Sequence, residues 1–165
     1  MENTMVETLS DYEIERGKPM PSENHGIIQA NLIFELQLNY RKQYRISSEV
    51  SLRLDGWSST PDIRISYKMK ADFRRDRTQI TEPPLGVIEI VSPSQSVQDQ
   101  YNKAVQYFES GVKSVWLVIP PIQAIVVYAS PDEYETFDSG MLTDKVLNIS
   151  ISVDKVFEVE EEVQP

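Results

Sequence analysis

The sequence predicts an α/β protein in which a mixed β-sheet carries helices on its faces. Three observations lead there. Apolar residues recur at helical spacing between Glu23 and Tyr40, and again between Val97 and Ser110. Two nearly continuous apolar runs, Leu85 to Val91 and Ser114 to Ile119, flank the second of these helices. Runs of that length read as buried strands. A strand, helix, strand unit of this kind implies a parallel pair with a right-handed crossover.

The elements are justified in chain order. A short helix is expected over Val6 to Leu9, and Pro19, Pro21 and Ser22 mark a turn in which Ser22 caps the first long helix. The helix from Glu23 to Tyr40 presents Ile27, Ile28, Leu32, Ile33, Leu36 and Tyr40 on its apolar side. The period then changes: Tyr44, Ile46, Val50, Leu52 and Leu54 suggest extended chain, and Asp55-Gly56 is a turn signal. Residues 61–67 alternate apolar and polar and read as a strand. Residues 68–82 form a basic, polar loop closed by Pro83 and Pro84. Ser92-Pro93-Ser94 ends the strand at Val91 and offers caps for the second helix, with Tyr101, Ala104, Val105 and Phe108 on its apolar face and Gly111 as its stop. Pro120-Pro121 turns the chain into a strand over Ile122 to Tyr128, followed by short extended pieces at 134–137 and 146–151 and a turn at Asp154. A single domain over residues 1–157 with an acidic, frayed tail at 158–165 is the expected organisation.

Composition narrows the chemistry. The absence of cysteine excludes disulfides, thiolate metal sites and a cysteine nucleophile, and fits a reducing cytoplasm. The acidic first residues lack the basic stretch and apolar run of a signal peptide, and no apolar stretch is long enough to cross a bilayer. The net charge of -10 repels a polyanion overall. Basic residues nevertheless cluster, first as Arg41, Lys42 and Arg45, then as Lys68, Lys70, Arg74, Arg75 and Arg77. The second cluster suits a phosphate-facing loop, or simply a solvated connection between strands. No glycine-rich phosphate loop is present, since the six glycines are scattered.

Asp62 follows Pro61 at the start of a strand, Glu89 is the lone charge of an apolar run, and Lys103 lies in the following helix. A carboxylate in a central strand needs a partner or a metal, because burying it alone costs several kcal/mol. Two carboxylates on adjacent strands with a lysine reaching in suit a hard divalent cation such as Mg²⁺. The plainer reading makes Glu89 an edge residue or half of a structural bridge to Lys103, and Asp62 an ordinary turn residue.

Three stretches bear a family resemblance: YEIERGKPMPSENHGIIQANLIFEL at 12–36, TPDIRIS at 60–66, and PPLGVIEIVSPSQSVQDQYNKAVQYFESGVKSVWLVIPP at 83–121. Together they resemble the Uma-two family of restriction-endonuclease-like proteins, part of the PD-(D/E)XK nuclease superfamily. The resemblance implies a restriction-endonuclease-like mixed sheet flanked by helices. It implies that Asp62 and Glu89 hold Mg²⁺ or Mn²⁺. It places Val91 where such folds usually carry lysine, with Lys103 on the helix in its stead. His25, the only histidine, matches a family histidine at the start of the first long helix, and Glu13 matches an acid of the N-terminal segment. Glu35 reads most simply as an exposed helix residue. Where relatives often continue Trp-Leu-Val-Asp-Pro, this chain has Ile119, a residue that packs locally or meets another subunit.

The expected activity is metal-dependent hydrolysis of DNA phosphodiester bonds, with RNA or branched DNA as other polyanionic substrates. The competing expectation is a non-catalytic binding or assembly module on the same fold. A homodimer is expected from the prevalence of two-fold assemblies, and the apolar strand at 122–128 suits either burial or an interface.

Overall fold

A computed structural model describes residues 10, 11, 14, 18, 20–159 and 163–165. The helix expected over Val6 to Leu9 and the candidate Glu13 lie outside these residues. Helix α1 spans Glu23–Tyr40 and begins where Ser22 Oγ accepts the amide of His25, the capping bond its position predicts. Strands β1 (Tyr44–Ser48), β2 (Leu52–Leu54), β3 (Trp57–Ser59) and β4 (Ile63–Tyr67) follow. Then come β5 (Gly86–Ile90), helix α2 (Val97–Glu109) and β6 (Ser114–Ile119). A 3-10 turn at Pro120–Ile122 leads into β7 (Ala124–Ser130) and β8 (Glu133–Phe137). Strands β9 (Met141–Asp144) and β10 (Ile149–Ser152) and the single helical turn α3 (Val153–Val156) complete the chain.

Six strands form one mixed sheet in the order β1-β4-β5-β6-β7-β8. Only β5 and β6 are parallel, joined through α2, as the strand-helix-strand pattern predicts. Alternation of side chains across the sheet separates two cores. On one face Ile63, Ile65, Ile88, Ile90, Trp116 and Val118 pack with Ile28, Leu32 and Leu36 of α1. The β9–β10 hairpin and α3 supply Leu142, Ile149, Ile151, Val153 and Val156 to the same layer. On the other face Val87, Val115, Leu117 and Val126 pack with Ala104 and Tyr107 of α2 and with Leu52 and Leu54 of the β2–β3 hairpin. Each fully buried leucine or isoleucine here contributes about 1.5–3 kcal/mol.

A Cβ on Gly86, at the start of β5, would stand 2.8 Å from Leu147 Cδ1, so the tip of that leucine would have to shift to admit a larger residue. Gly56, at φ 70, makes the turn of the β2–β3 hairpin that Asp55-Gly56 signals, and Gly111, at φ 101, ends α2.

Several expectations shift. Strand β3 and strand β9 were not expected, and the turn at Asp154 is a turn of helix. The cap of α2 is Ser96, whose Oγ accepts the Asp99 amide, rather than a residue of the Ser92-Pro93-Ser94 segment. The buried face of α2 carries Gln100, Ala104 and Tyr107, whereas Val105 is only half-buried. Glu35 is buried rather than exposed, because α3 packs beside α1 at that point. Residues 124–128 are interior, lying between β6 and β8, while Ile122 is exposed before the strand begins. Ile119 is half-buried and packs locally against the α2-side core. No helix among the described residues is long and apolar enough to cross a membrane.

Candidate active site

The register of the central sheet brings the two acids together. Ile63 of β4 opposes Ile88 of β5 in an antiparallel pair, so continuing that register sets Asp62 across from Glu89. The isoleucines face α1, and the intervening positions face α2. Glu89 therefore points toward the helix that carries Lys103 and Tyr107. Asp62 and Glu89 are 0% and 2% exposed.

Each carboxylate is held by several donors. Asp62 Oδ2 accepts the Ile90 amide at 2.7 Å, and Oδ1 receives His25 Nε2 at 3.1 Å and Lys18 Nζ at 2.6 Å. Gln29 of α1 ties the Asp62 carbonyl at 2.9 Å. Glu89 Oε1 lies 2.8 Å from Lys103 Nζ and accepts the Tyr107 hydroxyl at 2.7 Å, while Oε2 lies 3.3 Å from Lys18 Nζ. The Lys18 ammonium thus stands between the two acids. Lys103 keeps 22% of its side chain exposed and reaches the site from the solvent side.

Electrostatics follow from these contacts. Burial pushes the Asp62 carboxyl up, but the His25 hydrogen bond, the Lys18 and His25 charges and the Ile90 amide together outweigh it. The net effect holds Asp62 well below the usual carboxylate range, hence ionised. Burial, reinforced by the Glu89 charge, pushes the Tyr107 phenol well above its ordinary value. Tyr107 therefore keeps its proton and donates a hydrogen bond to Glu89. Its oxygen is left to accept from Ser59 Oγ at 2.7 Å. Trp57 packs edge-on against the Tyr107 ring at 4.9 Å and fixes its orientation. The β2–β3 hairpin thereby sets the position of Glu89 through a phenol.

Asp62, Glu89, Lys103 and His25, the described members of the predicted set, converge on one locus. Glu35 is directed elsewhere, into a groove with Asn31, Phe34 and Lys155. Lys18, Tyr107, Ser59 and Gln29 were not anticipated. For Lys18 the signal was present, since Gly17-Lys18-Pro19 lies inside the resembling stretch 12–36. Tyr107 lies inside the resembling stretch 83–121 as well, whereas Ser59 lies outside all three, and their pairing spans 48 positions and depends on the hairpin's docking. Among the described residues no group of three or more His, Asp and Glu side chains forms a metal cluster. The site offers two carboxylates surrounded by cationic and neutral donors.

A basic groove of about 550 Å³ lies at the β1–β4 edge of the sheet. It is lined by Arg45, Arg64, Lys70, Arg75 and Arg77 together with Phe73. Phe73 is 93% exposed and Tyr67 and Met69 are also exposed, so the segment after β4 combines positive charge with apolar side chains in water.

Comparison with known proteins agrees with this architecture. The family model described as "Uma2: Putative restriction endonuclease" matches residues 3–153, and the chain belongs to that family. Among solved structures, the chain is similar to a "putative nuclease belonging to DUF820" from Anabaena variabilis ATCC 29413. The two superpose with a TM-score of 0.73 at 22% identity, over 85% of this chain and 83% of the other. At that identity the likeness speaks to the fold. No curated protein matches.

Proposed function

We propose that this Uma2-family protein is a metal-dependent endonuclease that hydrolyses phosphodiester bonds of DNA, with Asp62 and Glu89 as ligands of Mg²⁺ or Mn²⁺. The carrying observation is that Asp62 Oδ1 and Glu89 Oε2 converge on a single cation, the Lys18 ammonium, at 2.6 and 3.3 Å. That ammonium marks a point at which two hard oxygen ligands meet a positive charge. The donor set fits Mg²⁺, which takes one or two carboxylates and completes its shell with waters and substrate phosphate oxygens. When bound, the ion supplies a water of lowered pKa and offsets negative charge at phosphorus.

The remaining work falls to the chain. The Ile90 amide holds Asp62 in orientation, and Tyr107, backed by Ser59, does so for Glu89. Lys103, part exposed and in contact with Glu89, is placed to hold a nonbridging phosphate oxygen or the attacking water. Lys18 would have to give way at the shared point to such an ion, because two cations repel there. The basic groove beside β1 and β4 supports a polyanionic substrate despite the net charge of -10, since attraction within a Debye length of about 8 Å depends on local charge.

The test is nicking of supercoiled plasmid by purified protein with Mn²⁺ or Mg²⁺. Nicking by the wild type that disappears in Asp62→Ala and Glu89→Gln is expected. Absence of nicking, or equal nicking by Asp62→Ala, overturns the reading.

A second reading, a non-catalytic module on the nuclease fold, draws on the same lysine. An ammonium seated between the acids satisfies them without a metal. Calorimetric titration with Mn²⁺ separates the two: a site present in the wild type and lost in Glu89→Gln counts against the module.

A further inference from the structure

Helix α1 has two faces, and both are apolar. Ile28, Leu32 and Leu36 are buried against the sheet, as the core requires. The opposite face is turned to solvent, yet it carries charge only at its ends, at Glu23 and Arg41. Between those two there is no lysine or arginine and a single carboxylate, Glu35, which is buried. A quarter of the whole chain is charged, so a solvated helix of this length should carry several charges on its outer face. In their place stand Phe34 and Leu38, 62% and 61% exposed, with Gly26, Ile27 and Ala30 also exposed. A contiguous apolar stripe in water marks a surface that another molecule covers.

The order of residues along the stripe identifies that molecule. At 3.6 residues per turn Glu23, Ala30, Phe34 and Arg41 fall on one line of the helix. Ile27 and Leu38 follow one flank of that line, and Gly26 and Gln37 the other. Turned end for end about a two-fold axis at the level of residue 32, the stripe meets a copy of itself with matching chemistry. Phe34 comes to the partner's Ala30, so a large side chain meets a small one. Ile27 comes to the partner's Leu38, and Arg41 to the partner's Glu23. A Cβ on Gly26 would meet nothing within 4 Å, so the helix is open to close approach there. A groove of about 510 Å³, lined by Asn31, Phe34, Leu38, Asp154 and Lys155 among others, borders the Leu38 flank and leaves room for the incoming side chains. The antiparallel alignment also sets the positive end of each helix dipole beside the negative end of the other. An isologous contact requires self-complementarity of this kind, whereas a foreign partner does not.

We propose that the outer face of α1 is a homodimer interface, in which two copies of the chain pair their α1 helices antiparallel about a two-fold axis near residue 32. The proposal is independent of the nuclease reading. The inner side of the same helix brings His25 and Gln29 to Asp62. Pairing therefore joins the helix that braces one acidic site to the helix that braces the other.

A contact built on one helix from each chain is at the small end of stable interfaces, so dissociation in the micromolar range is expected. Sedimentation velocity of the full-length protein between about 1 and 200 μM should show the mass rising from one chain to two. Phe34→Lys should stay at the one-chain mass throughout, with the melting curve of the wild type at the lowest concentration, where both are monomers. Arg41→Glu sets two carboxylates together at each end and should weaken association at least about tenfold. Adding Glu23→Arg to it should restore association. The chain has no cysteine, so introduced thiols report the register. Gly26→Cys and Gln37→Cys chains, mixed and oxidised, should cross-link to each other. Either variant alone should not, because its two thiols would stand about 15 Å or more apart along the helices, beyond the reach of a disulfide. A one-chain mass at every concentration overturns the proposal. So does a dimer indifferent to Phe34→Lys, a charge exchange that fails to restore association, or either cysteine variant cross-linking with itself as readily as with the other. Should Phe34→Lys fail to fold, the cross-linking pattern decides alone. None of these readouts involves metal or cleavage, so their failure leaves the nuclease reading untouched.

Discussion

Two of the places where the chain buries acid are neutralised by opposite means. Asp144, at the end of β9, is fully buried. It accepts Ser114 Oγ at 2.5 Å, Trp116 Nε1 at 2.8 Å and the amides of Val146 and Leu147 at 2.9 and 3.0 Å. All four donors are neutral, and two are backbone. Asp62 and Glu89, on the other side of the central strands, rely chiefly on the flexible tips of Lys18 and Lys103 and on His25. Fixed dipoles cannot be exchanged without unfolding the hairpin that supplies them. A lysine tip can leave and be replaced by another cation at little cost in structure. The first arrangement builds a joint between β6 and the β9–β10 hairpin, and the second leaves a position open to exchange.

That contrast sets the order of the expected effects. Asp144→Ala should be the most damaging to stability, because it strands the indole and two amides in the interior. A loss of about 3–5 kcal/mol in urea unfolding is expected, and a loss below about 1 kcal/mol would make Asp144 no more structural than a surface acid. Lys18→Met should act in the reverse sense on the exchangeable site. Removing the resident ammonium should tighten Mn²⁺ binding by about tenfold, or about 1.4 kcal/mol, in calorimetry. Unchanged affinity would mean that the ion and the ammonium do not share a locus. Tyr107→Phe removes one hydroxyl between Ser59 and Glu89 and should cost about 1 kcal/mol of stability. It should also weaken Mn²⁺ binding severalfold, whereas a merely structural tyrosine would leave the metal affinity untouched.

The smallest effect is a pH dependence. The folded protein holds the Asp62 carboxyl below its ordinary value of 3.8. The unfolded chain therefore takes up the proton first as pH falls. Asp62 ionisation contributes stability that is complete above about pH 5 and is lost progressively below it, toward the lower pKa of the folded form. The stability difference between the wild type and Asp62→Asn should narrow between about pH 6 and pH 3 in chemical denaturation. A constant difference would count against an ionised, cation-held Asp62.

Much of this was legible in the residues themselves. The period of apolar positions located both long helices, and Glu89 stood out because a charge interrupts Val87-Ile88 and Ile90-Val91. Local capping and turn chemistry at Ser22, Gly56 and Gly111 read correctly for the same reason: each depends on neighbours in sequence. What escaped depends on distant packing. Strand β3 is three residues long and is defined by its partner rather than its own pattern. Glu35 looks exposed on a helical projection until α3, more than a hundred residues later, covers it. Lys18 showed no periodicity, and its role as partner of both acids emerges only when β4 and β5 are in register.

The spacing of those partners along the chain also orders assembly in time. Lys103 reaches Glu89 across one strand-to-helix connection, whereas Lys18 must come from 71 positions away. Shorter loops close sooner and at lower entropic cost. Glu89 thus acquires its first counter-charge while the β5–α2–β6 unit forms, and that unit can collapse without an isolated charge in its core. By the same argument the contact from residue 18, which closes a longer loop, comes later. The group that first makes the interior tolerable to Glu89 is therefore not the group that an ion would later displace.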